Sequence, residues 1–120
     1  MGSTGSLEAS DQAAAAVQKT PNRVTLDSIH AKAVTCDYLR SGVMTIAVVT
    51  LENGYTVLGK SAPADAANFN EELGRKFAYE DAVRQVWPLE GYLLRERLFR
   101  EGGGPANSGP VGAPQITGRD

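Results

Sequence analysis

Apolar positions recur along the chain in a few short patches, and their spacing predicts the elements. Leu26, Ile29, Ala33 and Val34 fall at i, i+3, i+7 and i+8, one stripe of a helix. Thr25 in front suits an N-cap, and Asp27 suits the positive end of the helix. Cys36, Tyr38 and Leu39 carry the apolar content on to Ser41-Gly42, where the predicted helix ends. The next stretch, 43–51, reads VMTIAVVTL. It is rich in β-branched residues and apolar throughout, which predicts a strand covered on both faces. Asn53-Gly54 then marks a two-residue hairpin turn, because such a turn needs positive φ at both central residues. The return strand is 55–61. That turn places Leu51 opposite Thr56, Val49 opposite Leu58 and Val48 opposite Gly59. Val49 and Leu58 then share one face, and Val48 and Val57 the other.

Residues 61–70 read as a loop containing Pro63, with Asn68 or Asn70 as cap of the next helix and Glu71 and Glu72 in its first turn. Leu73, Phe77, Ala78, Ala82, Val83 and Val86 give its apolar stripe. Gly74 inside it costs about 1 kcal/mol against Ala and marks a close backbone approach to the hairpin. Trp87-Pro88 predicts a kink or break. A last helix over 89–100 follows, with Leu89, Tyr92, Leu93, Glu96 and Phe99 along one side and Arg95, Arg97 and Arg100 toward its negative end.

The predicted fold class is therefore α+β: an N-terminal helix, an antiparallel β-hairpin, then two helices separated by a Trp-Pro break. One domain spans 23–100. Residues 1–22 read as a disordered or weakly helical tail, with a short helix around Ala13–Val17. Residues 101–120 read as a Gly/Pro-rich tail with too few apolar groups to offset the entropy of ordering. A 78-residue domain buries a modest share of its surface, and a lone hairpin is not stable in water. With no third strand in view, the uncovered face or edge calls for a second copy, so a homo-oligomer is expected.

Charge narrows the function classes. Twelve basic against fourteen acidic residues give a net charge of −2, so no global field recruits nucleic acid or an anionic membrane. One Cys excludes an internal disulfide, and one His beside it excludes a zinc site built mainly from those two residue types. No apolar run approaches a membrane span, and the first residues lack the pattern of a secretory signal, so the expected location is the cytoplasm.

The candidate chemistry is sparse. His30 and Cys36 would lie on opposite faces of one predicted helix, which argues against a nucleophile pair. Glu71-Glu72 and Glu80-Asp81 are sequence neighbours, and such neighbours do not face each other on a helix. Gly102-Gly103-Gly104 follows a helix and lacks the strand-to-helix context of a phosphate loop. What remains is a set of arginines, Arg75, Arg84, Arg95, Arg97 and Arg100, with the aromatic residues Tyr55, Phe69, Phe77, Tyr79, Tyr92 and Phe99. Planar guanidinium groups suit phosphate and aromatic rings suit a base, although salt bridging and core packing account for the same residues. Trp87, Leu89, Gly91 and Tyr92 form a dense apolar corner.

Four blocks carry a family resemblance: 51–57 (LENGYTV), Ser61-Ala62, Asn68-Phe69-Asn70 with Gly74 and Arg75, and 87–94 (WPLEGYLL). Over about 23–98 the chain resembles a family of small phage and prophage accessory proteins, similar to the first Thoeris anti-defence protein, Tad-one. The resemblance implies a phage sponge in the cytoplasm of the infected bacterial host. Such a protein binds a cyclic ADP-ribose-type immune signal, or in some relatives a cyclic oligonucleotide, and holds it uncleaved in pockets between subunits. It implies no catalysis, cofactor or metal, and as partners only further copies of the chain and a small cyclic nucleotide. On that reading Arg75, Arg95 and Arg97 contact phosphates, Asn68 hydrogen-bonds base or ribose, and Phe69 or Tyr92 stacks. The alternative is a phage accessory protein that binds a host or phage protein through the exposed hairpin face or the Trp87 corner.

Overall fold

A computed structural model describes residues 6–103. Of the expected unfolded tails, 1–22 and 101–120, residues 1–5 and 104–120 lie outside the described residues. Helix α1 (Leu7–Ala16) begins at Ser6, whose hydroxyl accepts the Ala9 N–H at 2.9 Å. Leu7 is buried against the core. Asp11 ties the helix down: it accepts from Arg23 Nη1 at 2.9 Å and from the Leu26 N–H at 3.2 Å. Ordered structure therefore starts before residue 23.

Helix α2 (Leu26–Lys32) opens on Thr25 in a reciprocal cap with Ser28, and it buries Leu26 and Ile29 as their spacing requires. It stops at Lys32, nine residues short of the predicted end, because Ala33–Ser41 is strand β1. The segment AVTCDYLRS holds the β-branched and aromatic residues that fit a pleated surface, and pairing with the next strand supplies its backbone partners. Ser41 pairs with Met44 across Gly42-Val43. Gly42 has φ +60° and Val43 does not share it, the pattern of a II′ turn with glycine at its first central position. The expectation of a lone hairpin is thus corrected. The sheet has three antiparallel strands in the order β1-β2-β3, with β2 (Met44–Leu51) in the middle and β3 (Thr56–Ser61) at the far edge.

The β2–β3 turn forms where Asn-Gly predicts it, but it is one residue longer. The Leu51 N–H donates to the Tyr55 carbonyl and the Gly54 N–H to the Leu51 carbonyl, both at 2.8 Å. Gly54 sits at φ +92°, the left-handed residue that closes a three-residue hairpin loop. One residue of offset exchanges the faces of a strand. Val49 accordingly pairs with Val57, both buried, whereas Val48 pairs with Leu58 on the opposite face. The predicted pairing of Val49 with Leu58 is corrected.

Helix α3 (Glu71–Leu98) is a single helix of 28 residues lying across β2 and β3. Asn70 caps it by accepting the Leu73 N–H at 2.9 Å. It continues through Pro88, so the predicted division into two helices is also corrected. Pro88 removes the amide that would serve the Arg84 carbonyl. Both residues are exposed, so that lost bond does not lie in the core. Alanines and glycines make the contact with the sheet intimate. Ala47, Ala78 and Ala82 are fully buried, and a Cβ on Gly59 would run into the Ala78 carbonyl oxygen and lie 2.5 Å from the Ala82 nitrogen. Ile29, Val49, Val57, Val83 and Val86 fill the rest of the core, with Tyr79 and Trp87 packed at its margin. Beyond α3 a wider turn over Phe99–Gly103 ends at Gly102, φ +94°.

Candidate functional site

Strand alternation puts Arg40, Thr45 and Ser61 in one row across the face of the sheet that α3 covers, since Arg40 pairs with Thr45 and Thr45 with Ser61. The N-terminal turns of α3 and the Asp65–Asn70 loop close over this row. Gly74 lets the helix settle there: a Cβ on it would lie 2.7 Å from Thr45 Oγ1. The loop is held by Asp65, whose carboxylate accepts the Ala67 N–H at 3.0 Å and so starts a short 3₁₀ turn (Ala66–Asn68).

Between loop, helix and strand end lies a cavity of about 550 Å³, within the usual range for small-molecule sites. Ser61, Asn68, Phe69, Leu73, Gly74 and Phe77 are among the residues that line it. Phe69 links it to the edge strand, because the Arg40 guanidinium stacks on its ring at 4.0 Å from the centroid. Arg40 Nε donates to the Gly42 carbonyl at 2.9 Å, and the guanidinium makes no ion pair among the described residues. Thr45 Oγ1, under Gly74, is buried and has no hydrogen-bond partner among the described residues. Arg75 stands one residue beyond Gly74, paired with Glu71 at 2.6 Å, and its guanidinium lies 5.9 Å from the Tyr38 ring. Burial and the neighbouring Cys36 thiol push the Tyr38 phenol up to about 12, so it is neutral at ordinary pH.

A second, shallower cavity of about 310 Å³ lies between the β2–β3 turn and the far half of α3, lined by Leu51, Asn53, Tyr55, Leu89, Tyr92 and Leu93. Glu90 at its margin pairs with Lys32 at 2.8 Å, and that hydrogen bond is the main reason the lysine is held above its usual range.

The structure therefore divides the predicted residues. Asn68 and Phe69 line the first cavity and Arg75 lies beside it. Tyr92 lines the second. Arg95 and Arg97 are exposed in the last turn of α3, with Arg97 paired to Glu101 at 3.2 Å. Twenty residues of helix put Arg95 about 30 Å from Arg75, so one chain does not gather all three arginines. Arg40 is the residue that sequence reasoning missed. The signal for it was the Ser-Gly turn just beyond, which makes its segment a strand rather than a helix end.

The other candidates resolve into structural roles. His30 Nδ1 and the Tyr79 hydroxyl share a hydrogen bond at 2.7 Å, on rings stacked 5.6 Å apart, while Cys36 lies on β1. Glu80 pairs with Lys76, and Asp81 accepts the Lys60 N–H at 2.9 Å. Among the described residues no three His, Cys, Asp or Glu side chains gather as metal ligands. No described helix is long and apolar enough to cross a membrane.

Residues 14–98, which take in the whole sheet and both cavities, match the phage protein (N4 Gp49/phage Sf6 gene 66) family. The chain belongs to that family. No curated protein and no solved structure matches it. The family match encloses every residue of the Arg40–Phe69 site and leaves out only five residues of the described structure at its C-terminal end, Phe99 to Gly103, and the first helix as far as Ala13.

Proposed function

We propose that this phage-family protein binds a small nucleotide-type signal in the larger cavity and sequesters it without cleaving it, as a homo-oligomer. The observation that carries the reading is the Arg40–Phe69 pair at the cavity edge. An aromatic ring offers stacking to a base, and a guanidinium without an acidic partner offers forked donors to a phosphate. Asn68 and Ser61 add amide and hydroxyl groups on the wall, and Arg75 brings a second cation once it leaves Glu71. The reading makes the ligand a cyclic ADP-ribose isomer or a cyclic oligonucleotide in the cytoplasm of an infected host. Calorimetry of the full chain against cyclic ADP-ribose isomers and cyclic di- and trinucleotides tests it. Binding should be lost in Phe69→Ala and Arg40→Ala, and the ligand should be recovered intact after heating the complex. Silence across that panel overturns the proposal.

A second reading rests on the smaller cavity. Tyr55, Leu89, Tyr92 and Leu93 are exposed together there, the composition of a protein-binding patch. On that reading the chain is a phage accessory protein that docks a host or phage protein. A stoichiometric partner lost in Tyr92→Ala and kept in Arg40→Ala would favour it.

A further inference from the structure

A three-stranded sheet has two edges, and α3 guards only one of them. On β3 the groups that point away from β2 are already used. The Lys60 N–H donates to the Asp81 carboxylate at 2.9 Å, and the Leu58 carbonyl accepts from Gln85 Nε2 at 2.7 Å. Both side chains come from α3, so a further strand finds no free row of partners there.

The edge at β1 is different. Ser41 and Met44 flank the two-residue Gly42-Val43 turn, and such a flanking pair exchanges both of its backbone hydrogen bonds. Every second residue back along β1, namely Leu39, Asp37 and Thr35, then turns its amide and carbonyl toward β2. Cys36, Tyr38 and Arg40 turn theirs outward. The same alternation on β3 leaves Leu58 and Lys60 outward, which is where the α3 side chains meet them. Among the described residues no hydrogen bond reaches the outward amides and carbonyls of Cys36, Tyr38 and Arg40. Val34, Tyr38 and Leu39 are exposed along the strand, so the row is open to a partner.

We propose that β1 takes an extended peptide segment of another protein as a fourth, antiparallel strand. The charge on the strand says what the segment carries. Opposed residues of neighbouring strands point to the same face. Asp37 stands on the face away from α3, exposed and without an ion pair among the described residues, with Leu39 beside it. The segment therefore bears Lys or Arg opposite Asp37 and an apolar residue two positions before it, opposite Leu39. A second copy of β1 does not meet this need. Its one base, Arg40, lies on the α3 face, stacked on Phe69 and bonded to the Gly42 carbonyl. In the antiparallel pairing that a two-fold axis gives, Arg40 of one copy therefore never comes opposite Asp37 of the other.

Amide hydrogen exchange of the full chain, followed residue by residue by NMR, tests the proposal. The probe is the end-capped hexapeptide Thr-Val-Tyr-Lys-Val-Thr, which sets its lysine opposite Asp37 and its first valine opposite Leu39; the control is the same peptide with glutamate for lysine. In the free protein the Cys36, Tyr38 and Arg40 amides should exchange fast and those of Asp37 and Leu39 slowly. The lysine peptide at roughly 1 mM should slow the first three about tenfold or more. The glutamate peptide should bind about fivefold or more weakly, since like charges then stand opposite. Asp37→Lys should reverse that preference, and slow exchange at Leu39 verifies that its sheet is intact. No slowing with the lysine peptide, equal binding of the two peptides, or slow exchange of the outward amides in the free protein overturns the proposal. So does slowing that follows protein concentration without peptide, which would make the occupant a second copy. Peptide and nucleotide binding are separate outcomes: a chain silent to the nucleotide panel that takes the peptide keeps this edge and loses the cavity reading.

Discussion

Gly59→Ala is the sharpest probe of how this fold holds its site. The added Cβ meets no movable side chain; it meets the Ala78 carbonyl oxygen and, at 2.5 and 3.0 Å, the nitrogen and Cα of Ala82. Relief to ordinary contact requires α3 to lift by more than about 1 Å, and a gap of even about 1 Å forfeits about half of each dispersion contact along the seam. Ala47, Val49, Val57, Ala78, Ala82, Val83 and Val86 all sit on that seam, nearly fully buried. The better strand propensity of alanine returns less than about 1 kcal/mol. The net loss should be about 3 kcal/mol or more, at the upper end for overpacked cores. For a domain whose total stability is about 5–15 kcal/mol, that is a large share. Urea denaturation followed by circular dichroism should show the midpoint fall, and the thermal transition should drop by roughly 12–24 °C. A loss below about 1 kcal/mol would refute the close seating of α3 on β3, and with it the position of the Asp65–Asn70 loop above the cavity.

Gly91, in the same helix, has open space where a Cβ would go, so Gly91→Ala should raise stability by about 0.5–1 kcal/mol, and a loss would show that the far half of α3 is packed more tightly than it stands. Thr45→Val removes a buried hydroxyl that has no partner among the described residues and keeps the shape of the side chain; it should stabilise by about 1 kcal/mol, and destabilisation in the same denaturation assay would mean that the hydroxyl is satisfied in solution. Alkaline pH should weaken the fold. The Tyr38 phenol, held up to about 12, keeps its proton in the native state, while the unfolded chain releases it near 10, so stability falls as pH rises between those values. Lys32, raised chiefly by its hydrogen bond to Glu90, acts in the same direction: its contribution is present below about pH 10.4 and is lost as pH passes its raised value. Urea midpoints measured across that window should decline less steeply in Tyr38→Phe, and a flat wild-type profile would contradict both assignments.

How far the fold was legible depends on which interactions are local. Thr25 and Asn70 cap their helices as read, since a cap is satisfied within three residues. Gly74 and the Asn53-Gly54 turn also stand where the sequence put them. The misreadings came from competition between local and distant partners. Residues 33–41 carry an apolar spacing that suits a helix, and tertiary pairing with β2 overrides it once Gly42 turns the chain back. Pro88 removes one helix hydrogen bond, and α3 runs on through it at a place where Arg84 and Pro88 are both exposed, which sequence alone does not reveal. The hairpin shows the narrowest margin. An added loop residue left the strands in place but moved Leu58 off the face of Val49 and brought Val57 onto it.

The candidate site was legible in proportion. Asn68 and Phe69 adjoin in sequence and line one cavity, so a motif found them. Arg40 reaches Phe69 only because β1 is a strand, and that strand was read as a helix, so no inspection of the arginines on the last helix could have supplied it. The same error hid the third strand, and with it the open edge of the sheet. Restoring β1 therefore changes the functional reading twice. It supplies the cation at the cavity edge, and it sets an open row of amides and carbonyls along one side of the sheet. The expectation of a second copy rests on a hairpin too small to stand alone, and the third strand together with α3 removes that ground.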